Sequence, residues 1–530
     1  MRSINRRKFL TYLAGSGAAV CARPQAPRPI EVQAQMDQGK PNIVIIMTDQ
    51  QRADFSRAEG FPLDTTPFLD SLGRRGARFH RAYTPMPVCA PARCSMFSGR
   101  FPKATRVREN GGIGNMFGPE DLVDILRQQG YSVNIAGKNH SHLTPDSFDF
   151  KAFYGHNGGG RRRLRTAQEE KMDEWLEALD HGVSLQPTPF PLECQPPWRV
   201  VRDAIECVDH LDDRPFFLWL TFAEPHNPYQ VPEPYFSLFP EDELPDRVAG
   251  PEAIAQKGGK WRWERRMIER KRPGYDEHWR RYRANYCGMI RLLDDQIRRF
   301  VEHLEAKRLL DGTIIVFTAD HGDYAGDYGL QRKGVGLPEC LIRVPLVFVG
   351  PGIEPSAPGR DEFVSLVDIM PTLCEAIGAE IPYGVQGRSL WPMLTGQDYP
   401  RDEFRSIYAE LGYGGLHYAE DDTPPLHFEW GGPSFDELNS LTQSGNMKMV
   451  RMDRWKLAFD MMGRGQLYDV ESDPGELSNL YEAAEFRQVR TELLEELLKW
   501  CIRTEDDLPS GRYVPKRARR NWYAPHEADA

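Results

Sequence analysis

The chain has 530 residues, of which 40% are hydrophobic and 27% are charged, a composition that excludes wholesale disorder, coiled coil and collagen. Lysine and arginine number 67 against 77 aspartate and glutamate residues, a formal net charge of −10, so we expect no nucleic-acid partner. No uninterrupted apolar run reaches about 18 residues, and we therefore expect no membrane span.

The N-terminus has the pattern of an export signal. Two adjacent arginines, Arg6 and Arg7, precede an apolar stretch rich in Gly and Ala that runs from Phe9 to Ala22. Such a pattern is typical of a secretory signal, and the arginine pair resembles a twin-arginine signal. We expect residues 1–34 to be a twin-arginine-type signal peptide and linker, the twin-arginine export machinery to be a partner, and the protein to be periplasmic or secreted.

Continuous apolar runs predict strands that are buried on both faces of a parallel sheet. These runs cover residues 41–47, 132–136, 215–222, 313–318 and 343–350. Amphipathic patterns between the runs predict helices over residues 66–72, 118–129 and 279–307. Strands that alternate with helices favour an α/β fold with a large, mainly parallel, doubly wound sheet flanked by helices.

The last part of the chain has a different pattern. Short alternating segments at 449–452, 455–459 and 466–469 predict a smaller antiparallel sheet, and residues 485–503 predict a helix. We therefore expect a catalytic α/β domain over residues 40–400 and a C-terminal subdomain over 401–530, whose basic tail starts at Ser510.

Polar side chains follow two of the predicted buried strands. Asp49 and Gln50 follow the first, and Asp320, His321 and Asp323 follow the strand that ends at 318–319. The carboxyl ends of parallel strands form the edge of an α/β sheet where ligands bind. Oxygen-rich side chains gathered there would make a divalent cation site; each group alone could instead be a helix cap or a solvated loop.

A set of ordered motifs resembles the type I sulfatase family. The first contains Cys89, Pro91 and Arg93 in the pattern C-x-P-x-R, and Ser98-Gly99-Arg100 follows it. The later motifs are GKNH at 137–140, EPHNP at 224–228, TADHGD at 318–323, GLQRKG at 329–334 and RVPL at 343–346. The last motif is LYD at 467–469, followed by DP at 473–474, Glu476 and NL at 479–480. The resemblance spans about residues 41–481.

The resemblance implies a formylglycine-dependent sulfuric ester hydrolase of the alkaline phosphatase superfamily. In that family a separate maturation enzyme oxidises the motif cysteine, here Cys89, to formylglycine. The hydrate of formylglycine has one hydroxyl to attack sulfur and another to expel sulfate, which a thiolate lacks. The family pattern implies one divalent metal, Ca²⁺ first with Mg²⁺ or Mn²⁺ as alternatives, held by Asp49, Gln50, Asp320, His321 and the modified Cys89.

The remaining site residues are also implied by the resemblance. Arg93 and Lys138 would hold the formylglycine hydrate, and His140 would serve its proton transfers. His226 and Lys333 would bind the sulfate near the leaving oxygen. Asn110, together with Arg108, follows the modified turn, and we expect Asn110 to contribute to the wall of the substrate pocket.

Two positions depart from the commonest family pattern. Many members have Asp where Gln50 stands and Asn where His321 stands, and this version also resembles the phosphonate monoester hydrolase and choline-sulfatase branches. The alternative function is therefore a phosphonate monoester or phosphodiester hydrolase that uses the same site. A glycan-binding protein that is never matured is disfavoured, because every expected catalytic position is filled.

Two basic segments bear on the substrate. One covers residues 158–165, and the other covers 257–272, where cations alternate with Trp261 and Trp263. On an acidic protein, basic and aromatic segments could receive a polyanionic sulfated glycan; the alternative is a solvated helix face and loop. A sulfated carbohydrate is the substrate that we expect.

Overall fold

A large mixed sheet forms the centre of the computed structural model, which describes residues 39–118, 120–161, 164–413, 420–423, 427–429, 434–436 and 445–505. The predicted signal peptide and the tail from Ser510 lie outside the described residues. The strands of the large sheet are β1 (Asn42–Asp49), β2 (Ala77–Arg78), β4 (Ser132–Gly137), β5 (Phe150–Gly155), β6 (Gly158–Gly159), β7 (Phe216–Pro225), β8 (Thr313–Ala319) and β9 (Leu346–Val349). Strand β3 (Ala82–Tyr83) pairs with β10 (Val364–Ser365) in a separate two-stranded ladder.

The order of strands across the large sheet is β2-β9-β8-β1-β7-β4-β5-β6. The central strands from β8 to β5 run parallel to one another. At one edge β9 runs antiparallel to β8, and β2 runs antiparallel to β9. At the other edge β6 runs antiparallel to β5. The predicted α/β fold with a mainly parallel sheet is confirmed.

Helices cover both faces of this sheet. The described α-helices are α1 (Pro67–Arg74), α2 (Cys89–Ser98), α3 (Pro102–Thr105), α4 (Leu122–Gln128), α5 (Ala167–Ala178), α6 (Pro196–Asp209), α7 (Ile254–Lys257), α8 (Gly259–Lys271), α9 (Trp279–Ala306), α10 (Glu339–Ile342), α11 (Ile369–Ala376), α12 (Trp391–Leu394) and α13 (Arg487–Thr504). Strand β1 is continuously apolar because both of its faces are buried. Ile43 and Ile45 face a core built with α2, α4 and α11, whereas Val44 and Ile46 face a core built with α6 and α9.

The C-terminal part forms a second, smaller sheet, as predicted. Its antiparallel order is β11 (Ser406–Leu411), β14 (Met447–Met452), β15 (Trp455–Asp460) and β16 (Gly465–Asp469). Strand β12 (His427–Glu429) pairs antiparallel with β13 (Ser434–Asp436). Helix α13 packs on this sheet through Leu493, Leu497 and Trp500. The domain boundary after residue 400 stays a prediction.

None of the helices in the described part of the chain combines the length and apolarity that a bilayer crossing requires.

Candidate active site

The carboxyl ends of β1 and β8 bring four predicted metal ligands together. These strands are parallel neighbours, with Thr48 opposite Ala319, so the residues that follow them share one edge of the sheet. One ligand atom from each of Asp49, Cys89, Asp320 and His321 lies within 4.8 Å of the others, and all four side chains are buried. Donors from two strands and one helix therefore converge on a single point.

Cys89 begins helix α2 at this point. Its Sγ lies 3.3 Å from Nε2 of His321 and 3.6 Å from Oδ1 of Asp49. Nδ1 of His321 donates a hydrogen bond to the carbonyl of Gly322 at 2.8 Å, so its Nε2 directs a lone pair at the cluster. The Asn110 side-chain oxygen accepts the backbone N–H of Ala90 at 3.2 Å. Asn110 thus satisfies a donor of the first helical turn and positions the turn that carries Cys89.

Gln50 has an unusual backbone conformation that is fixed by hydrogen bonds. Its φ is 70°, a left-handed value that is costly for a residue with a side chain. Its backbone N–H donates to Oδ1 of Asp320 at 3.0 Å, and its carbonyl accepts from the Tyr286 hydroxyl at 2.7 Å. Its side-chain nitrogen donates to Asp323 at 2.6 Å, which leaves the amide oxygen 3.3 Å from Nζ of Lys333.

Asp323 stands outside the group of metal ligands. Its carboxylate also accepts from the Tyr229 hydroxyl at 2.7 Å and from the backbone N–H groups of Ala325 and Arg332 at 2.7 and 2.9 Å. With its oxygens engaged in this way, Asp323 orients Gln50.

Arg93 is fully buried and ties the strand ends together. Its guanidinium donates to Asp320 at 2.8 Å and to Asp49 at 3.2 Å. It also donates to the carbonyl of Lys138 at 2.7 Å and to the Thr221 hydroxyl at 3.0 Å. These contacts fix both carboxylates beside the start of helix α2, whose first residue is Cys89.

Lys138 follows β4 and contacts two groups of the site. Its ammonium pairs with the Asp49 carboxylate and lies 2.8 Å from Nε2 of His156. An ammonium has only donors, so Nε2 of His156 accepts and the proton of this imidazole lies on Nδ1. Burial lowers the pKa of His140, although the nearby Cys89 acts in the opposite direction, and this keeps the ring in the neutral form that accepts a proton.

His226 and Lys333 form the opposite wall. Their Nε2 and Nζ atoms lie 3.3 Å apart, and Nδ1 of His226 donates to the carbonyl of Asn227 at 2.7 Å. The ring of His156 stacks on that of His226 with centroids 3.8 Å apart. Burial lowers the pKa of His226 well below its usual value, and the neighbouring His156 and Lys333 lower it further.

The family model described as Sulfatase matches residues 41–379. The chain belongs to the sulfatase family. It is 28% identical to an arylsulfatase of Clostridium perfringens over 90% of this chain and 98% of that relative. It is 29% identical to a choline-sulfatase of Rhizobium meliloti, covering 84% of this chain and 83% of the relative. The chain is thus an enzyme that hydrolyses sulfate esters.

The fold of this sulfatase is also that of a solved phosphonate monoester hydrolase from Agrobacterium radiobacter. The two structures superpose with a TM-score of 0.73 at 23% identity, over 88% of the sulfatase and 96% of the hydrolase. At this identity the similarity concerns the architecture.

The electrostatics of the sulfatase site suit a divalent cation. Burial and the charge of Asp49 raise the pKa of Asp320, while neighbouring cations, Lys138 foremost, overcome the effect of burial and hold the pKa of Asp49 well below its usual value. Burial also opposes ionisation of Cys89, yet the surrounding cations hold its pKa well below the ordinary value. Two carboxylates and an imidazole nitrogen around one point, beside the position of Cys89, fit Ca²⁺, Mg²⁺ or Mn²⁺.

Sequence reasoning missed two features of the sulfatase site. His156, which follows β5, belongs to no motif, although it contacts Lys138 and His226. The sequence places Asp323 among the strand-end residues, but no local pattern indicates that its carboxylate accepts a hydrogen bond from the Gln50 amide.

In the described part of the two basic segments, the aromatic residues are not available to a glycan. Trp261 and Trp263 are buried, with exposed fractions of 4% and 1%. Neighbouring cations are paired with acids: Arg262 with Glu420 at 2.5 Å, for example. In the other segment, Arg161 pairs with Glu206 and Arg165 with Asp173, while Arg162 and Arg163 lie outside the described residues.

Arg108 donates to the carbonyl of Gly412 and stacks on Tyr413.

Proposed function

We propose that this sulfatase removes sulfate from a sulfated carbohydrate through a formylglycine made from Cys89, with one divalent metal, Ca²⁺ first. The observation that carries the proposal is the position of Cys89 at the start of a buried helix, within 4.8 Å of Asp49, Asp320 and His321. The metal would be held by these side chains and Gln50, and when bound it would neutralise charge on the sulfate oxygens.

Two groups of residues around Cys89 have different roles, one at the formylglycine hydrate and one at the sulfate. The hydrated aldehyde of formylglycine supplies one hydroxyl that attacks sulfur and a second whose deprotonation expels sulfate. Lys138 and Arg93 hold the formylglycine hydrate, and neutral His140 accepts a proton from it. On the opposite wall His226 and Lys333 bind the sulfate oxygens, and the Lys333 ammonium stabilises charge on the leaving oxygen.

A carbohydrate of modest size suits the site better than a long polyanion. Several cations of the two basic segments, among them Arg161, Arg165 and Arg262, pair with acids. A cleft of about 810 Å³ lined by His156 and His181 lies beside the catalytic residues, within the usual range of small-molecule pockets. A sugar ring would fit this space.

The alternative is a phosphonate monoester or phosphodiester hydrolase, and Gln50 and His321 are the residues that favour it. The amide of Gln50 brings no charge to the metal, so the site is less negative than one with a third carboxylate. A phosphonate monoester carries one negative charge, as a sulfate monoester does, so the same site would accept it.

The experiment measures sulfate release by ion chromatography from sulfated glycan fragments and an aryl sulfate, beside cleavage of an aryl phosphonate ester. The enzyme is first shown by mass spectrometry to carry the lighter, oxidised residue at position 89, and Cys89→Ala is the control. We expect sulfate release that the control loses. Phosphonate cleavage without sulfate release would favour the alternative.

We also propose export through the twin-arginine machinery to the periplasm or beyond, after modification by a separate maturation enzyme. The eight cysteines in the described part of the chain form no disulfide, which suits a protein that folds in a reducing compartment before export. Replacing Arg6 and Arg7 together by lysine should retain the protein in the cytoplasm, as cell fractionation would show.

A further inference from the structure

The segment that carries Lys333 has a strained backbone. It covers residues 320–338, between strand β8 and helix α10, and within it Ala325, Tyr328 and Arg332 have φ values of 46°, 60° and 65°. Left-handed values are costly for residues with side chains and persist only where the surroundings impose them. Lys333 comes directly after the last of the three, so its position depends on the groups that hold this segment.

The segment folds back on itself around Lys333. The backbone N–H of Tyr324 donates to the carbonyl of Arg332 at 2.8 Å, and the Tyr324 hydroxyl donates to the carbonyl of Val335. Tyr324 is thus bonded to the chain on both sides of Lys333, whose Nζ lies 3.3 Å from Nε2 of His226. A shift of Tyr324 would therefore move Lys333 away from His226.

Trp261 of helix α8 packs against this segment. Its ring centroid lies 5.7 Å from that of Tyr324 and 5.1 Å from that of Tyr328, both in edge-on geometry. On the other side of Lys333, a Cβ atom at Gly336 would lie only 2.7 Å from Cζ2 of Trp261, so the glycine permits a close approach of the chain to the indole. One buried indole therefore contacts the chain before and after Lys333.

The last sequence motif holds the same aromatic group. The Tyr328 hydroxyl donates to the carbonyl of Gly475 at 2.8 Å, and Lys257 donates to the carbonyl of Glu476. The Lys257 ammonium also lies 5.4 Å from the ring centre of Trp261 and 5.2 Å from that of Tyr328, within the range of cation–π attraction. The C-terminal part of the chain thus helps to fix Trp261 and Tyr328 in place.

We propose that Trp261 and Tyr328 are positioning residues for Lys333. They hold the segment so that the Lys333 ammonium stays beside His226, and they act on the substrate only through Lys333. The proposal rests on the proposed function, which assigns Lys333 to the sulfate and the leaving oxygen. It gives the aromatic part of the second basic segment a role inside the enzyme.

Loss of this support changes the response to the leaving group. More negative charge develops on the leaving oxygen of phenyl sulfate than on that of 4-nitrophenyl sulfate, because the nitro group delocalises the charge. A displaced Lys333 stabilises this charge less well, so phenyl sulfate should lose more rate than 4-nitrophenyl sulfate. A variant that only lowers the amount of active enzyme slows both esters equally.

The test measures kcat and KM of the matured enzyme for both aryl sulfates by sulfate release. Trp261→Phe and Tyr328→Phe are each made in the parent and in the Lys333→Ala variant. The ratio of kcat/KM for phenyl sulfate to kcat/KM for 4-nitrophenyl sulfate is the quantity compared.

Two matched controls alter buried aromatic residues elsewhere. Trp500→Phe removes an indole that is buried between helix α13 and the small sheet. Tyr131→Phe removes a buried hydroxyl that, like that of Tyr328, donates to a backbone carbonyl, here that of Pro41 at 2.7 Å. Both controls should keep the parent ratio.

We expect Trp261→Phe to lower kcat/KM about tenfold for phenyl sulfate and about threefold for 4-nitrophenyl sulfate, because a small displacement of a catalytic group is costly. Tyr328→Phe keeps the ring and should lower the ratio by less, so it still tests the proposal if Trp261→Phe does not fold. In Lys333→Ala, neither change should alter the ratio further. An unchanged ratio in both variants, or an equal change with and without Lys333, would overturn the proposal.

Failure of the proposed function gives a different result, because the parent enzyme then releases sulfate from neither ester. The positioning of Lys333 is in that case decided without turnover, by calorimetric titration of Cys89→Ala with inorganic sulfate in the presence of Ca²⁺. We expect Trp261→Phe to raise the Kd about threefold or more, and to have no further effect when Lys333→Ala is also present. Equal Kd values with and without Trp261→Phe would overturn the proposal.

Discussion

Oδ2 of Asp323 lies 2.6 Å from the side-chain nitrogen of Gln50, and this contact fixes the orientation of the Gln50 amide. The amide oxygen lies 3.3 Å from Nζ of Lys333. Asp323, which is outside the group of predicted metal ligands, thus orients the amide that we propose as a neutral ligand of the metal.

Asp323→Asn should weaken metal binding. An asparagine can offer its own N–H₂ to Gln50 and would no longer hold the amide in one orientation, so we expect the Kd for Ca²⁺ to rise about tenfold or more. Calorimetric titration of chelator-treated protein measures the change. Asp311→Asn, at an exposed position, is the control. An unchanged Kd in a folded Asp323→Asn variant would contradict the role given to Asp323.

Lys333→Ala should lower turnover of an aryl sulfate strongly. Lys333 supplies a buried fixed charge beside His226, and removing such a charge costs about a hundredfold or more in kcat. Lys333→Arg should recover part of the rate because it keeps the charge. Lys307→Ala, which removes an exposed lysine paired with Asp209, should change neither kcat nor KM. A parental rate for Lys333→Ala would mean that this lysine does not touch the sulfate.

His156→Phe separates the two contacts of His156. Phenylalanine retains a ring against His226 but lacks the nitrogen that accepts from Lys138. We expect kcat to fall about tenfold with a smaller change in KM, because Lys138 acts on the reacting group more than on bound substrate. His156→Ala should lower kcat further. Steady-state kinetics checks both, and an effect on KM alone would show that His156 only binds substrate.

Glu224→Gln should change the pH dependence of stability. Burial raises the pKa of Glu224 from 4.5 to about 7, and its Oε2 has no hydrogen-bond partner among the described residues. The unfolded chain therefore loses this proton at lower pH than the folded protein. The free energy of unfolding falls as pH rises from about 4.5 to 7, by about 3 kcal/mol at most.

Glutamine cannot ionise, so the variant should lack that loss. Urea unfolding at pH 5 and pH 8 measures the free energy of unfolding for both proteins. We expect the variant to gain stability relative to the parent between these two pH values. A difference between variant and parent that stays constant with pH would show that Glu224 is not held protonated.

The parts of the fold that the sequence predicts well are those whose signal is local. A strand buried on both faces favours a continuous apolar run, and β8 (Thr313–Ala319) is apolar from Ile314 to Phe317 and buried throughout. The residues at its end, Asp320 and His321, could be assigned to the sheet edge for the same reason. Helix α9 has a pattern long enough to be predicted within a residue of its observed bounds.

The parts that could not be predicted depend on contacts between distant segments. His156 reaches Lys138 because β5 pairs with β4, and nothing in either segment indicates that pairing. In the sequence, the cations of helix α8 are compatible with a glycan surface. In the structure Arg262 pairs with Glu420, which lies far along the chain, so its charge is already engaged. An amphipathic helix with a dense charged face places its tryptophans inward, and Trp263 follows that rule.

The burial of Cys89 imposes an order of events on the biosynthesis of this sulfatase. Its side chain is 1% exposed, and every residue of α2 is buried around it. An oxidising enzyme can reach that thiol only while the segment is still extended, before the strands close over it. The conversion of Cys89 that we propose would therefore have to precede folding, and the proposed twin-arginine export would follow folding. Molecules that fold too early would remain permanently inactive, and adding the maturation enzyme afterwards would not rescue them.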